Sequence, residues 1–190
     1  MSLLCLALLV RAQAAAGPAT EPRCVTAAPW RRHATEADRQ RLRDARAAWT
    51  EALGPTVATA AAAPVDPLFD PDRALETPLP PAGAYRCRLV GVGAGAAAPA
   101  WGRCEVGVDS LVKLDGPQRP TGKLFADSPT RGVFLGTIML GDESRPVGYG
   151  RDRMRDLIGV VERIDAQRWR VALPRRAFGS TLDVIELVPA

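Results

Sequence analysis

The stretch that decides the fold is 168–173, which reads RWRVAL. Its second, fourth and sixth residues are Trp, Val and Leu, and two of the other three are Arg. A period of two is typical of a β-strand with one buried face. Similar short segments stand before it at 157–164 and after it at 182–188, which indicates that this part of the chain is a series of strands.

Together with that stretch, the sequence after Gly83 contains eight predicted strands. They begin with the alternating segment around Tyr85 and continue at 103–108, 111–114, 123–126, 133–140, 157–164, 168–173 and 182–188. The connections are too short for the crossover helices that parallel strands need, so the sheet should be antiparallel. We therefore predict a mainly β fold, an antiparallel barrel of about eight strands, over 83–190. Gly83-Ala84-Tyr85 slightly resembles the Gly-x-Trp of lipocalin-like (calycin-like) barrels.

A helix is predicted before the barrel. Thr35 can cap its first N–H groups, and Glu36 and Asp38 suit the positive end of the helix dipole. Apolar residues at helical spacing continue to residue 53, where Gly54-Pro55 ends the pattern. We expect a helix over 36–53 that packs on the barrel.

Residues 55–82 contain seven prolines and are predicted to be a stiff connector without sheet. The helix and this connector together make up an N-terminal region over 15–82.

The first 14 residues are predicted to be a signal peptide. Residues 3–10 (LLCLALLV) are an apolar run far shorter than the about 20 residues that span a bilayer, and Ala12-Gln13-Ala14 supplies a small-x-small cleavage pattern. We therefore expect export to the periplasm or secretion, with no stable membrane insertion after cleavage. The alternative is an Ala-rich N-terminus of a cytosolic protein.

Two of the four cysteines are predicted to pair. Cys87 and Cys104 lie on successive strands whose midpoint falls in the turn 91–99, so a hairpin brings them together as a disulfide, which also suits an exported protein. A zinc site would need more ligands than two cysteines and the remote His33, and a redox pair is usually Cys-x-x-Cys. Cys24 is left free or in an intermolecular bridge.

The sequence predicts no catalytic residue, no metal and no cofactor. His33 is far in sequence from any serine of the predicted sheet, and the chain has no Gly-x-Ser-x-Gly motif. Residues 91–96 match a GxGxxA dinucleotide pattern, but Pro99 follows before a helix can form. Nucleic acid is not an expected partner because 25 basic residues are balanced by 21 acidic ones, without a clustered basic face.

Two polar clusters, at 115–122 and 149–156, are candidate binding loops at one or both ends of the barrel. Their candidate ligand or partner residues are Gln118, Arg119, Tyr149, Asp152, Arg155 and Asp156. The alternative interpretation is ordinary turn chemistry, in which Arg–Asp pairs hold the loops in place.

Several short motifs resemble one protein family. They are Trp30 with 34–39, Tyr85-Arg86-Cys87-Arg88, Gln118-Arg119-Pro120, 133–137, Trp169-Arg170 and 182–189. Together they are similar to domain of unknown function 4893, a family of exported bacterial proteins. The resemblance implies export, a Cys87–Cys104 pair and a single domain, and it implies no reaction.

Two hypotheses for the function follow. The first is an exported, non-enzymatic ligand-binding or interaction module, whose partner is a small molecule or an envelope protein. The second is an envelope enzyme or enzyme inhibitor that acts through the loops 115–122 and 149–156. An apolar cavity of several hundred Å³ within the barrel would favour a small ligand, whereas a filled interior with a basic loop surface would favour a protein partner.

Overall fold

The computed structural model describes residues 29–54, 66–92 and 99–190. The predicted signal peptide, Cys24 and most of the turn 91–99 lie outside the described residues. Within the described ranges, none of the helices has both the length and the apolar character that crossing a bilayer requires.

The predicted eight-stranded antiparallel barrel is confirmed. The strands are β1 (Gly83–Gly91), β2 (Gly102–Val106), β3 (Ser110–Lys113), β4 (Gln118–Ala126), β5 (Gly132–Leu140), β6 (Asp156–Asp165), β7 (Arg168–Pro174) and β8 (Leu182–Pro189). Each strand pairs antiparallel with the next one, and β1 also pairs with β8, which closes the sheet. Lipocalins share this up-and-down order, but the finer assignment to that fold stays a prediction.

One strand begins earlier than predicted. β4 starts at Gln118 rather than Lys123, so most of the cluster 115–122 belongs to a strand and its assignment to a loop was wrong. The proline at 120 explains the error, since proline usually interrupts a ladder. Its pairing with β5 places Pro120 opposite Ile138, whereas β3 pairs only from Thr121 onward. Pro120 therefore lies at a locally open edge, where a sheet tolerates proline.

The predicted single helix is two helices, preceded by a third. They are α1 (Trp30–His33), α2 (Glu36–Arg43) and α3 (Ala45–Leu53), with the break at Asp44. The Thr35 cap is confirmed, because its hydroxyl oxygen accepts a hydrogen bond from the Asp38 N–H at 3.2 Å. Gly54 ends α3 with φ +60°, which glycine adopts without strain. The four residues of α1 are too few to produce a periodic pattern.

The barrel interior is filled by apolar side chains. Those of Tyr85, Cys87, Cys104, Val106, Leu111, Leu124, Phe134, Ile138, Leu157, Val161, Trp169, Val171, Leu173, Ile185 and Leu187 form one buried cluster. The predicted Cys87–Cys104 disulfide lies within it, with the two Cα atoms 5.8 Å apart. The register places Cys104 opposite Tyr85 and Cys87 opposite Gly102, so the bridge joins diagonal neighbours rather than the directly opposed pair that a symmetric hairpin would give.

The outer wall of β5 to β8 is buried as well, because the helices cover it. α1 and α2 pack their apolar side chains on outward residues of β5 and β6, such as Val133 and Ile158. α3 packs on β7 and β8, where Trp49 shares a cluster with Ala172 and Val184. A strand buried on both faces needs apolar side chains at nearly every position, and β5 meets that requirement over Gly132–Leu140.

A fully buried arginine links α3 and the connector to the barrel. Arg170 of β7 has no exposed surface and pairs with Glu162 at 2.7 Å, and its guanidinium lies 4.9 Å from the Trp49 ring. It also donates to the backbone carbonyls of Pro67, Leu68, Asp70 and Arg73. This segment contains a 3-10 turn (Pro67–Phe69), and one isolated β-bridge joins Leu75 to Arg163. The connector thus has several contacts with the barrel, and its Leu75 pairs with the sheet, although no sheet was expected in this segment.

Arg170→Met should destabilise the protein by about 3–5 kcal/mol, because it leaves Glu162 without its partner and removes the donor from four carbonyl groups. Urea denaturation measures the change. Arg46→Met is the matched control, since the Arg46–Asp72 pair is mostly exposed and should contribute little. Equal effects of the two substitutions would contradict the anchoring role of Arg170.

Replacing both Cys87 and Cys104 by alanine should lower the free energy of unfolding by about 3 kcal/mol, as expected for a covalent loop of this size. Denaturation of the wild type with a reductant should reproduce the loss, and the double variant should not respond to the reductant. Alkylation of both thiols in unreduced, denatured protein would contradict the disulfide.

Candidate functional site

The structure places both polar clusters at the same end of the barrel. Strand directions alternate, so the connections 114–117, 141–155 and 175–181 all leave the barrel at one end, which we call the loop end. The connections at the opposite end include the short turns 107–109 and 166–167. The loop end is therefore where the barrel offers irregular backbone and polar side chains.

Three of the predicted site residues form a cluster that ties the loop 141–155 to β4. Arg119 donates to the carbonyl oxygens of Gly141 at 2.9 Å and Glu143 at 2.6 Å. Arg155 pairs with Glu143 at 2.5 Å and with Asp152 at 3.2 Å. Glu143 was not among the six predicted ligand or partner residues, and hydrogen bonding to the Leu140 N–H and to Arg155 lowers the pKa of its carboxyl. These contacts match the alternative interpretation, in which the polar residues hold the loop.

Gln118 makes a separate contact across the loop end. Its side-chain amide donates to the backbone oxygen of Phe178 at 3.4 Å, in the connection between β7 and β8. Phe178 is partly exposed. Gln118 therefore bridges two connections of the loop end and lies outside the cluster of Arg119, Asp152 and Arg155.

Tyr149 fastens the loop 141–155 to α2. Its hydroxyl donates to the buried Asp38 carboxylate and accepts a 2.9 Å hydrogen bond from the Thr35 N–H. Asp38 also accepts from the Thr35 hydroxyl at 2.9 Å and pairs with Arg41. Burial, and then the bond to Asp38, raise the pKa of Tyr149 to about 12. The phenol thus stays protonated at neutral pH and acts as a donor.

Asp156 lies beside this network with one oxygen unsatisfied. Its Oδ1 accepts from the Gly150 N–H at 2.8 Å, whereas its buried Oδ2 has no hydrogen-bond partner among the described residues. Burial raises the pKa of the Asp156 carboxyl, and the Asp38 charge acts in the same direction. The structure therefore brings two of the predicted site residues, Tyr149 and Asp156, together around a buried acid of α2.

One cavity with ligand-binding character lies on the outer wall of the barrel, and a larger one of about 450 Å³ opens over β1 and β2. The first measures about 360 Å³ and opens between α1, the outer face of the β4–β5 pair and the segment 146–149. It is lined by His33, 121–123, Phe125, 135–137 and 146–149. We call it the wall cavity. Of the six predicted site residues, Tyr149 alone lines it.

The wall cavity combines apolar walls with a few polar groups. The His33 and Phe125 rings stack with centroids 6.0 Å apart. The Thr137 hydroxyl is buried and has no hydrogen-bond partner within the described part of the chain. Lys123 stands on the rim, 3.8 Å from Asp109, with both side chains largely exposed. This mixture of an apolar surface with a small number of polar groups is typical of small-molecule sites, which measure roughly 300–1,000 Å³.

The sequence contained one usable signal for this region. Apolar residues at nearly every position of 133–140 indicate a strand whose outer face is covered, and hence a second layer on the barrel. The local sequence could not show where that cover ends, and the wall cavity lies at that boundary. Among the residues described, no cluster of three or more His, Cys, Asp or Glu side chains could hold a metal ion.

A family model covers these elements. The model described as a domain of unknown function (DUF4893) matches residues 30–187. The chain belongs to the DUF4893 family. The DUF4893 match includes α1, α2, all of β4 and β5 and the loop 141–155, so the residues that line the wall cavity lie inside it. No curated protein and no solved structure matches the chain.

Asp156→Asn should raise the melting temperature by a few degrees at pH 7. Because the native pKa of Asp156 is raised, the native state binds this proton more readily than the unfolded state does. Stability is therefore lost as pH rises from the ordinary aspartate value, about 3.9, through the raised one, and asparagine removes that loss. The gain should disappear below about pH 4, as thermal melts across pH 3–8 would show.

The control is Asp152→Asn, which removes the same charge from a more exposed position in the same loop. A lower melting temperature of Asp156→Asn at pH 7 would contradict the expectation and would mean that the ionised carboxylate stabilises the loop.

Proposed function

We propose that this DUF4893 protein is an exported, non-enzymatic binding module that holds a small molecule in the wall cavity. The proposal rests on a comparison of the barrel interior with the outer wall of the barrel. Apolar side chains of the described residues and a disulfide fill the interior, so the ligand cavity considered for the inside of the barrel is not found there. The basic loop surface that would favour a protein partner is not free either, because Arg119 and Arg155 are engaged in internal contacts. The outer wall has an apolar cavity of about 360 Å³ at the edge of the helical cover.

Export is part of the proposal and has two supports. The run LLCLALLV at 3–10 with Ala12-Gln13-Ala14 has the pattern of a cleaved signal. The Cys87–Cys104 disulfide is of the kind that persists in the periplasm or outside the cell, whereas cytosolic thiols are usually kept reduced.

The bonding of the polar loops favours a binding module over the alternative of an enzyme or inhibitor that acts through 115–122 and 149–156. Arg119 and Arg155 use their guanidinium groups on Gly141, Glu143 and Asp152. Tyr149 keeps its proton, because its pKa is raised to about 12, and that proton is engaged with Asp38. A partner that binds these groups would have to displace internal contacts, whereas a ligand in the wall cavity would displace at most the weak, exposed contact between Lys123 and Asp109.

Native mass spectrometry of protein purified from its own periplasm tests the proposal. We expect the wild type to carry a small molecule that is absent from Val147→Trp, because the larger side chain fills the wall cavity. Val108→Trp, the same substitution at a fully exposed position in the turn 107–109, is the control and should retain the molecule.

The same spectra test export, since the mature mass should correspond to a chain that begins near Ala15. Identical small-molecule content in wild type and Val147→Trp would overturn the site. An intact Met1 in cytoplasmic protein would overturn the location.

A further inference from the structure

We propose that the ligand of the wall cavity is a small organic carboxylate, with an apolar body against the barrel wall and its anionic group at Lys123. This inference rests on the proposed function and adds the chemical class of the ligand. Three observations support it: the charge of the cavity lining, the weak ion pair of Lys123, and the position of the Thr137 hydroxyl, which has no hydrogen-bond partner among the described residues.

The lining has basic groups and no acidic ones. Lys123 and His33 line the wall cavity, and no Asp or Glu does. The nearest acid of the Tyr149 network, Asp38, is buried and is engaged with Thr35, Tyr149 and Arg41. An anion would therefore meet attraction from Lys123 in competition with the Asp109 carboxylate on the rim, and an amine would find no counter-charge on the lining itself.

Lys123 can exchange its present partner for a ligand. Its ammonium lies 3.8 Å from the Asp109 carboxylate, beyond hydrogen-bond length, and both side chains are 67% exposed. Exposed pairs of this kind are weak and are screened by salt, so little is lost when the lysine turns toward the cavity. A carboxylate held there would make a charge-assisted hydrogen bond, which is stronger than a neutral one.

Thr137 lies within reach of the same group. The register pairs Lys123 with Leu135 and Thr121 with Thr137, so Lys123 and Thr137 are diagonal neighbours on the outer face of β4 and β5. Such neighbours lie about 7–8 Å apart, a gap that a lysine side chain and one carboxylate can bridge. The Thr137 hydroxyl is buried and has no partner among the described residues, so it can donate to the second carboxylate oxygen once its side chain turns toward the cavity.

The rest of the lining suits an apolar body. Phe125 and Leu135 come from the barrel, and Pro146 and Val147 come from the loop 141–155. The His33 ring stacks on Phe125 and adds a flat surface. A ligand that is charged throughout would leave these apolar surfaces poorly matched, so the lining selects a molecule with one anionic end.

Isothermal titration calorimetry with three probes of equal chain length tests the assignment: hexanoate, 1-hexanol and hexylamine. We expect hexanoate to bind at least tenfold more tightly than 1-hexanol, and hexylamine to bind most weakly. Lys123→Gln should weaken hexanoate about tenfold and leave 1-hexanol unchanged. Arg175→Gln is the control, since it removes the same charge from another exposed ion pair, Arg175–Glu51, outside the wall cavity, and it should bind all three probes like the wild type.

The outcomes separate this inference from the proposed function. Equal binding of hexanoate and 1-hexanol, unaffected by Lys123→Gln, would overturn the carboxylate assignment and leave the wall cavity as a ligand site. Tighter binding of hexylamine would also overturn the assignment. Absence of binding by all three probes at millimolar concentration would overturn the carboxylate assignment too. If the native mass spectra of the wild type and Val147→Trp were also the same, the proposed function would be overturned as well.

Discussion

The buried guanidinium of Arg170 is the contact on which the arrangement of helices, connector and barrel depends. It has no exposed surface, pairs with Glu162 and donates to four backbone carbonyls of the segment after residue 66. Its position over the Trp49 ring brings α3 into the same cluster. A buried charge is tolerated only when such partners surround it, so this arginine requires the connector and α3 to lie where they do.

The same cover determines where a ligand site can form. β5 is apolar on nearly all of both faces, and the helices bury much of the outer wall of β5 to β8. At the edge of this cover, His33 of α1 stacks on Phe125 of β4. At that edge the loop 141–155 approaches the wall from the other side, and the wall cavity lies between them. The wall cavity thus lies where the helices stop covering the outer wall of the barrel, and it is separate from the filled interior.

Tyr149 connects the two features. Its hydroxyl is bonded to Asp38 and Thr35 at the start of α2, and its side chain lines the wall cavity. The polar residues around it hold the loop 141–155 in position, through Arg119 to the backbone and through Arg155 to Glu143. The charged groups at this end of the barrel therefore hold the loop that forms one side of the wall cavity. The surface of the cavity itself is mostly apolar.

The sequence by itself determined the barrel, most of its strand positions, the Thr35 cap and the identity of the Cys87–Cys104 pair, though not the register of that pair, because alternation, capping and the proximity of two strands in a hairpin are local patterns. It misjudged the start of β4, since the effect of Pro120 depends on whether a neighbouring strand needs its N–H. Only the tertiary structure decided that both polar clusters share one end, that Tyr149 meets Asp38 from 111 residues away, and that a cavity opens over β4 and β5. Those features form where elements that are distant in sequence pack together, and a local sequence pattern does not show which elements will pack together.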